Sequence, residues 1–278
     1  MNNFTQEYVW RTSLYIRFKF KDISSTKNLD LVNYFDKLTC FQFFDSNINE
    51  DDLTFLKAKN KNEDIYFKYI DADANFLKII KESGFNVEVI SLWEAGQLHI
   101  KKGKFSDYCS SKSNNFKRLI RKYLTKSKSL MFVSANSNNL FKLWKDILYI
   151  DQSSWKYEEE SDMLNMDYEH LQYIFLCLSN SYSVDILVAY IEDEPIAYSF
   201  LLKDKGIYYA VKWGATKIGR LQMGGICCLI KQIENISRTQ DLYMDFWGRD
   251  NTIYDRLKTH SKERMNFMIR SKNENKNS

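Results

Sequence analysis

The chain has 278 residues, a formal net charge of +4 and 15% aromatic residues. This aromatic content excludes a disordered chain, while one proline and nine glycines exclude collagen and low-complexity linkers. The five cysteines form no CxxC pair and the three histidines no tight cluster, so we expect reduced thiols, no metal site and a cytoplasmic protein. We expect no signal peptide and no membrane span, because no apolar run reaches the roughly 18 residues that a span needs.

The first part of the chain predicts a strand, a helix and a second strand in close succession. Residues 65–70 alternate as a strand does, and residues 85–93 form another β-rich run. Residues 71–83 between them carry apolar residues on one helical face, and Asp71 or Asp73 would cap that helix. The short connections are typical of an α/β arrangement.

A basic helix is predicted over residues 111–129. Its stretch from Lys112 to Lys128 holds seven basic residues and no acidic ones, and its apolar residues recur at helical spacing. The basic outer face, which includes Arg118, is suited to nucleotide or tRNA phosphates, or it is simply a solvated helix face.

Two further helices are predicted over residues 137–150 and 167–179, on either side of an acidic, aromatic stretch. Asp151 and the glutamates at 158–160 are candidate bases, since burial can raise a carboxyl pKa toward neutrality. The alternative for the glutamates is an ordinary solvated loop.

The last part of the chain has the most regular pattern. It predicts three antiparallel strands, a glycine-containing loop, a helix, a buried strand and a final strand. The predicted strands cover residues 185–191, 195–203, 206–213, 242–247 and 264–270.

From residue 115 to 260 the chain resembles the GNAT-fold acyltransferases, in the branch of the FemAB-like peptidyltransferases and CelD-like acetyltransferases. The stretches that carry the resemblance are FKRLIRKYLTK, VAYIEDEPIAYSFLLKDKGIYYAVKWGA and LYMDFWGRDNTIYDRLKTH. The resemblance implies an α/β (α+β) fold with a mixed, mostly antiparallel sheet flanked by helices. It also implies two packed GNAT-like lobes, a degenerate one over residues 1–110 and a catalytic one over 111–271, followed by a disordered tail at 272–278.

The activity that this resemblance implies is transfer of an acyl group from acyl-CoA, such as acetyl-CoA, to an amine. The acceptor would be a small molecule, a carbohydrate or a peptide amine, and the attack direct, without a covalent intermediate. The family's recurrent positions fall on Asp245, Tyr254 and Lys258, as candidate base, candidate acid and ligand of a phosphate or acyl carbonyl. Their structural alternatives are a turn cap, core packing and a solvated face.

The donor-binding loop is expected just before the long helix, where family members carry Arg/Gln-x-x-Gly-x-Gly/Ala. Glycines at a helix N-terminus let backbone N–H groups approach phosphates. Aligning the motif's first glycine with Gly224 puts Leu221 in the basic slot, one residue from Arg220. The residues expected to bind the donor are Arg220, Gln222, Met223, Gly224 and Gly225.

Aromatic side chains are expected to wall the substrate pocket, although as a group they also suit a plain core. The residues expected to bind substrate are Trp155, Tyr208, Trp213, Trp247 and Arg118.

Two other functions stay open. The same fold can use aminoacyl-tRNA as the donor, as FemAB-like members do, which the basic helix favours. Alternatively, the chain is a catalytically inert GNAT-like binding module, which the departure in the donor loop favours. The sequence does not identify the acceptor amine, the length of the acyl chain or the oligomeric state.

Overall fold

The computed structural model describes residues 50–61, 64–136, 139–154, 184–204, 206–246 and 253–271. The helices in these ranges are α1 (Glu50–Lys59), α2 (Asn75–Glu82), α3 (Phe105–Ser111), α4 (Asn114–Lys126), α5 (Leu140–Gln152), α6 (Lys217–Leu221), α7 (Gly224–Thr239) and α8 (Tyr254–Leu257). The strands are β1 (Ile65–Asp71), β2 (Asn86–Ile100), β3 (Met131–Ser134), β4 (Val184–Ile191), β5 (Glu194–Asp204), β6 (Ile207–Ala215), β7 (Leu242–Asp245) and β8 (His260–Arg270).

The described strands form one sheet in the order β1-β8-β2-β7-β6-β5-β4-β3. Every neighbouring pair is antiparallel except β6 and β7, which run parallel. A parallel pair needs a long crossover, and here α6 and α7 provide it. The predicted fold class is confirmed: the sheet is mixed, mostly antiparallel and flanked by helices.

Helices cover both faces of the sheet. Buried residues of α7, such as Cys228 and Ile233, pack with Leu187, Ala197 and other side chains on one face of β4, β5 and β6. Side chains alternate between the faces of a strand, so the neighbouring residues of these strands point toward α5. A second cluster packs α1 and α2 against β1 and β8.

Strands from both predicted lobes share this one sheet. β2 lies between β7 and β8 and pairs with both of them. Strands that precede residue 110 and strands that follow it therefore belong to one sheet, although we predict a lobe boundary at this residue. Residues 1–49 of the first predicted lobe, the predicted helix at 167–179 and the tail at 272–278 lie outside the described residues.

Several local predictions need correction. The cap of α2 is Ala74 and makes no side-chain hydrogen bond, so the predicted cap by Asp71 or Asp73 is wrong. Asp71 is instead buried in an ion pair. The second predicted strand continues to Ile100, since its distal half pairs with β7. We did not predict α3, α6 or β3, which are short elements with little periodicity.

In the part of the chain that the structure describes, no helix is both long and apolar enough to cross a bilayer.

Candidate active site

β6 extends beyond its pairing with β7, and we take the edge of β6 left there as the candidate cleft. The two strands pair in parallel only from Ile207 to Tyr209 on β6, opposite Tyr243 to Asp245 on β7. Immediately beyond, β6 carries a β-bulge: Ala210 and Lys212 face consecutive residues of β5, so Val211 is an extra residue. A bulged residue is left without a ladder partner and its strand bends, which is how strands often shape active sites.

The N-terminus of α7 adjoins this cleft. Met223, which precedes the helix, is left-handed (φ 60°) and offers no side-chain cap. The first N–H groups of α7 therefore have no helical acceptor. Gly224 and Gly225 are required by packing: a Cβ on Gly224 would lie 2.6 Å from the Ala197 Cβ, and one on Gly225 would lie 2.5 Å from the Trp213 ring.

The predicted donor loop is more helical than the family motif. Residues 217–221 form α6, which Thr216 caps by accepting a hydrogen bond from the Gly219 amide. The amides of Arg220, Gln222 and Met223 also bond to carbonyls within the loop. Phosphate contacts from this loop are therefore restricted to the start of α7 and to side chains.

A cation reaches this loop from the basic helix. Lys126, at the end of α4, donates a 3.0 Å hydrogen bond to Gln222 Oε1. Arg220, two residues before Gln222 in the chain, is exposed, and Leu221, in the family's basic slot, is 72% exposed. Two positive side chains thus lie near the N-terminus of α7, one of them from a helix that precedes it by about a hundred residues.

Tyr254 is the first residue of α8 and is buried. We assign α8 to one side of the candidate cleft. Its hydroxyl accepts a 3.0 Å hydrogen bond from Trp213 Nε1, and its ring stacks on Phe246 at 4.5 Å. Burial raises the pKa of Tyr254 to about 12, and the Trp213 bond only partly opposes this. The phenol therefore keeps its proton at neutral pH and is chemically able to donate it.

Lys258 lies one turn after Tyr254, and its amide bonds to the Tyr254 carbonyl at 2.8 Å. Its ammonium group is 2.8 Å from Asp255 Oδ1, and its own carbonyl accepts a hydrogen bond from Lys112. The predicted pair of Tyr254 and Lys258 is thus on one short segment.

Asp245 has a different environment from that expected of a base. Arg264 contacts both of its oxygens, at 2.8 and 2.5 Å, and Gln97 donates to Oδ2 at 3.0 Å. Arg264 also bonds to Asp71 at 2.9 Å. Burial alone would lower the pKa of Arg264, but the two carboxylates raise it. This geometry gives Asp245 the role of joining β7 to β8, not an open position for accepting a proton.

A second buried ion pair lies on the α5 side of the bulge. Lys212 Nζ is 3.2 Å from Asp151 Oδ2, and the Tyr198 hydroxyl donates to Asp151 Oδ1 at 2.8 Å. Asp151 is fully buried and Lys212 is 8% exposed. A Cβ at Gly214 would clash with both Tyr198 and Asp151, so this glycine makes room for the pair.

The remaining predicted residues are dispersed. Tyr208 is at the start of β6, where its hydroxyl accepts from Gln240 at the end of α7. Arg118 is on the exposed face of α4. Trp155 and Trp247 lie outside the described residues, as do the glutamates at 158–160.

Covalent catalysis has no support from the described cysteines. Burial raises the pKa of Cys227 to about 11 and that of Cys228 well above its usual value. A thiol with such a pKa is a poor nucleophile at neutral pH. Within the described ranges, no three His, Cys, Asp or Glu side chains are close enough to hold a metal ion.

No protein-family model and no curated protein matches the sequence. Solved structures do match. FemX aligns with 78% of this chain and 74% of its own at 11% identity, with a TM-score of 0.54. The chain has a FemX-like fold.

Two other solved structures are also similar. The C-terminal domain (DUF2156) of a putative lysylphosphatidylglycerol synthetase from Agrobacterium fabrum aligns with 79% of this chain and 74% of its own, at 9% identity and a TM-score of 0.54. L-PGS from Bacillus licheniformis aligns with 79% of this chain and 72% of its own, at 11% identity and a TM-score of 0.52. At these identities the likeness concerns the fold.

Lys212 is the site residue that our sequence reasoning missed. The available signal is a charged residue within YYAVKWGA, a strand in which almost every neighbour is apolar. A lysine at such a position is rarely buried without a partner.

Proposed function

We propose that this protein transfers an acyl group from acyl-CoA to an amine in the cleft between β6 and β7. The observation that carries the proposal is the bulge around Val211, directly after the last residue of β6 that pairs with β7, with the N-terminus of α7 beside it. A bulged amide provides a backbone donor for the acyl carbonyl, and a helix N-terminus favours the phosphates of the donor.

The chemistry needs few protein groups. The neutral amine nitrogen attacks the acyl carbonyl carbon, the new C–N bond forms, and the C–S bond to CoA breaks. The proton that the nitrogen loses passes through water and replaces the proton that the acid gives to the sulfur. Tyr254 is the proposed acid that protonates the departing sulfur, since it is protonated at neutral pH and borders the cleft. Proximity supplies much of the remaining acceleration.

Lys126, Arg220 and the first amides of α7 are the proposed phosphate ligands. The two side chains compensate for the loop amides that α6 already uses. Lys258 is proposed to contact the acyl carbonyl or a phosphate, and the Trp213 indole to form part of the substrate wall. The acceptor class is an amine of a small molecule, carbohydrate or peptide.

We place this activity in the cytoplasm, where CoA thioesters and reduced cysteines coexist. Cys109, Cys227 and Cys228 are free thiols in the described chain, which agrees with a reducing compartment.

Calorimetric titration with acetyl-CoA and longer acyl-CoAs tests the donor. We expect saturable binding that weakens by about tenfold or more in Lys126→Glu and Arg220→Glu, since each loses a charge-assisted contact. Lys78→Glu is the matched control, because Lys78 is an exposed lysine on α2, far along the chain from the cleft. Failure of every acyl-CoA to bind would reject the CoA donor.

A second candidate function is transfer from aminoacyl-tRNA, which the exposed face of α4 favours. Arg118, Arg121 and Lys122 are all exposed on this helix. Nucleic-acid binding through such contacts weakens steeply with salt. Binding of charged tRNA that falls with salt and in Arg121→Glu, together with RNase-sensitive transfer, would replace acyl-CoA by this donor.

An inert binding module is the remaining outcome. Ligand binding that persists without any transfer of the acyl group, unaffected by Tyr254→Phe and Lys258→Ala, would support it over both enzymes.

A further inference from the structure

A small cavity lies between the end of β3, the start of β4 and the middle of α7. Its volume is about 170 Å³, and Ser134, Asp185, Leu187, Gln232 and Asn235 are among its lining residues. β5 separates β4 from β6 in the sheet, so this cavity is distinct from the cleft beside β7. Ser134 and Asn235 are exposed at its mouth, while Leu187 and Gln232 are buried.

Asp185 differs from the buried aspartates in its charged partners. Asp71, Asp151 and Asp245 are all buried, and each has a lysine or arginine nitrogen within 3.2 Å. Asp185 is partly buried but has no such partner among the described residues. A desolvated carboxylate without a cation is unfavourable, so its place beside a cavity points to a missing positive group.

Gln232 holds this carboxylate in place. Its Nε2 donates to Asp185 Oδ1 at 2.7 Å and to the Asp185 carbonyl at 2.9 Å. Both partners are acceptors, so the amide nitrogen must face them, and the orientation of the amide is determined. Gln232 is 2% exposed, and its Oε1 is buried with no hydrogen-bond partner.

In the described part of the chain, Lys203 is the cation whose charge acts on this carboxylate. Burial raises the pKa of Asp185, while the Gln232 hydrogen bond and the charge of Lys203 oppose that change. The Lys203 ammonium lies over the Tyr208 ring, 5.2 Å from its centre. It therefore acts through space without filling the cavity.

We propose that this cavity binds a small primary alkylammonium ion, with its N–H groups on the Asp185 carboxylate and its alkyl stem against Leu187. Among the described residues this carboxylate has no lysine or arginine paired to it, and an ammonium group supplies both the positive charge and as many as three hydrogen-bond donors. One carboxylate beside an amide provides too few anionic oxygens for a hard divalent cation. The buried aliphatic wall is suited to a short hydrocarbon stem.

Titration with n-propylammonium chloride, followed by calorimetry and by the Gln232 side-chain amide signal in ¹H–¹⁵N spectra, tests this. Tetramethylammonium has the charge without N–H donors, and n-propanol has a donor without the charge. We expect saturable binding of n-propylammonium alone. No binding, or equal binding of either comparison compound, would overturn the proposal and leave a cavity that holds water.

Variants locate the site. Asp185→Asn should weaken n-propylammonium binding by about tenfold or more, since hydrogen bonds to charged groups are the strong ones. Asp193→Asn, in the exposed turn between β4 and β5, should not change it. Lys203→Met should strengthen binding, because it removes a like charge, whereas a purely structural Asp185 predicts no such gain. Unchanged affinity in Asp185→Asn contradicts the proposal, and melting temperatures verify that each variant is folded. The result is independent of whether acyl-CoA binds in the cleft.

Discussion

Trp213 on β6 and Tyr254 on α8 are joined by a 3.0 Å hydrogen bond from the indole Nε1 to the phenol hydroxyl. The Trp213 ring also packs against Gly225 at the start of α7, where a Cβ would lie 2.5 Å from it. One indole thus links the bulged strand, the helix N-terminus and the proposed acid. This arrangement leads to the first of four predictions.

Tyr254→Phe removes the proposed acid and leaves the Trp213 indole without its acceptor. We expect the transfer rate to fall by about 10²- to 10⁴-fold, the usual contribution of a positioned acid. Stability should fall by only about 1 kcal/mol, because one hydrogen bond is lost. Tyr190→Phe, which removes a hydroxyl bonded to Asp146, is the matched control for rate. Equal rates in the two variants would exclude Tyr254 as the acid.

Asp245→Asn should mainly destabilise the protein. The buried Arg264 guanidinium would lose one of its two carboxylates, and breaking a buried ion pair typically costs about 3–5 kcal/mol. Urea unfolding measures this loss. Asp73→Asn is the control, because Asp73 pairs with Lys262 at the surface, where such pairs contribute up to about 1 kcal/mol. A stable but inactive Asp245→Asn would instead support Asp245 as the base.

The Lys212 and Asp151 pair predicts non-additive stability. Lys212→Met removes the ammonium group that lies 3.2 Å from the buried Asp151 carboxylate and should cost about 3–5 kcal/mol. Adding Asp151→Asn should recover most of this loss, since the amide still accepts from Tyr198 and itself carries no charge. Urea unfolding of both single variants and the double variant gives the coupling energy. Costs that simply add would show that the two groups do not interact.

Asp185→Asn should raise stability at neutral pH. Burial raises the pKa of Asp185 above its ordinary value of 3.8, so the folded state binds this proton more tightly than the unfolded state does. The resulting stability is present below 3.8 and is lost as the pH rises through the folded-state pKa. Asp185→Asn does not lose stability in this way as the pH rises, because an amide does not titrate. Among the described residues, the charge that acts on Asp185 is that of Lys203.

Urea unfolding of both proteins between pH 4 and pH 8 measures this difference. The difference in free energy of unfolding should grow as the pH is raised toward 8. Asp193→Asn should have the stability of the wild type at every pH. A constant difference across this range would show that Asp185 does not titrate differently on folding. Greater stability without the carboxylate would also agree with a site maintained for binding.

Much of the fold could be predicted from local patterns. The strands β4, β5 and β6 alternate strongly, and their turns carry the residues that reversals need, so three antiparallel strands were expected and are present. The long helix α7 and the basic helix α4 have clear apolar faces and were also expected. The residues predicted to bind the donor end with Gly224 and Gly225, and α7 begins at Gly224.

The partners of charged residues could not be predicted in this way. Asp245 has the local pattern of a residue at the end of a strand. Its oxygens nevertheless accept hydrogen bonds from Arg264 on β8, the next strand along the chain, and from Gln97 on β2. Arg264 also bonds to Asp71, which precedes it by 193 residues. Charge and spacing along the chain contain no information about such a contact.

The sequence by itself determined which segments become strands and helices, because burial of apolar faces at periods of 2 and 3.6 residues is a local requirement. Only the tertiary structure decided what the charged side chains do. Packing of the helices and strands brings Lys212 to Asp151 and Arg264 to Asp245, and it places Asp185 beside a cavity with no lysine or arginine paired to it among the described residues. The environment of a carboxylate is set by its neighbours in space, since solvation and charge depend on distance and not on sequence position.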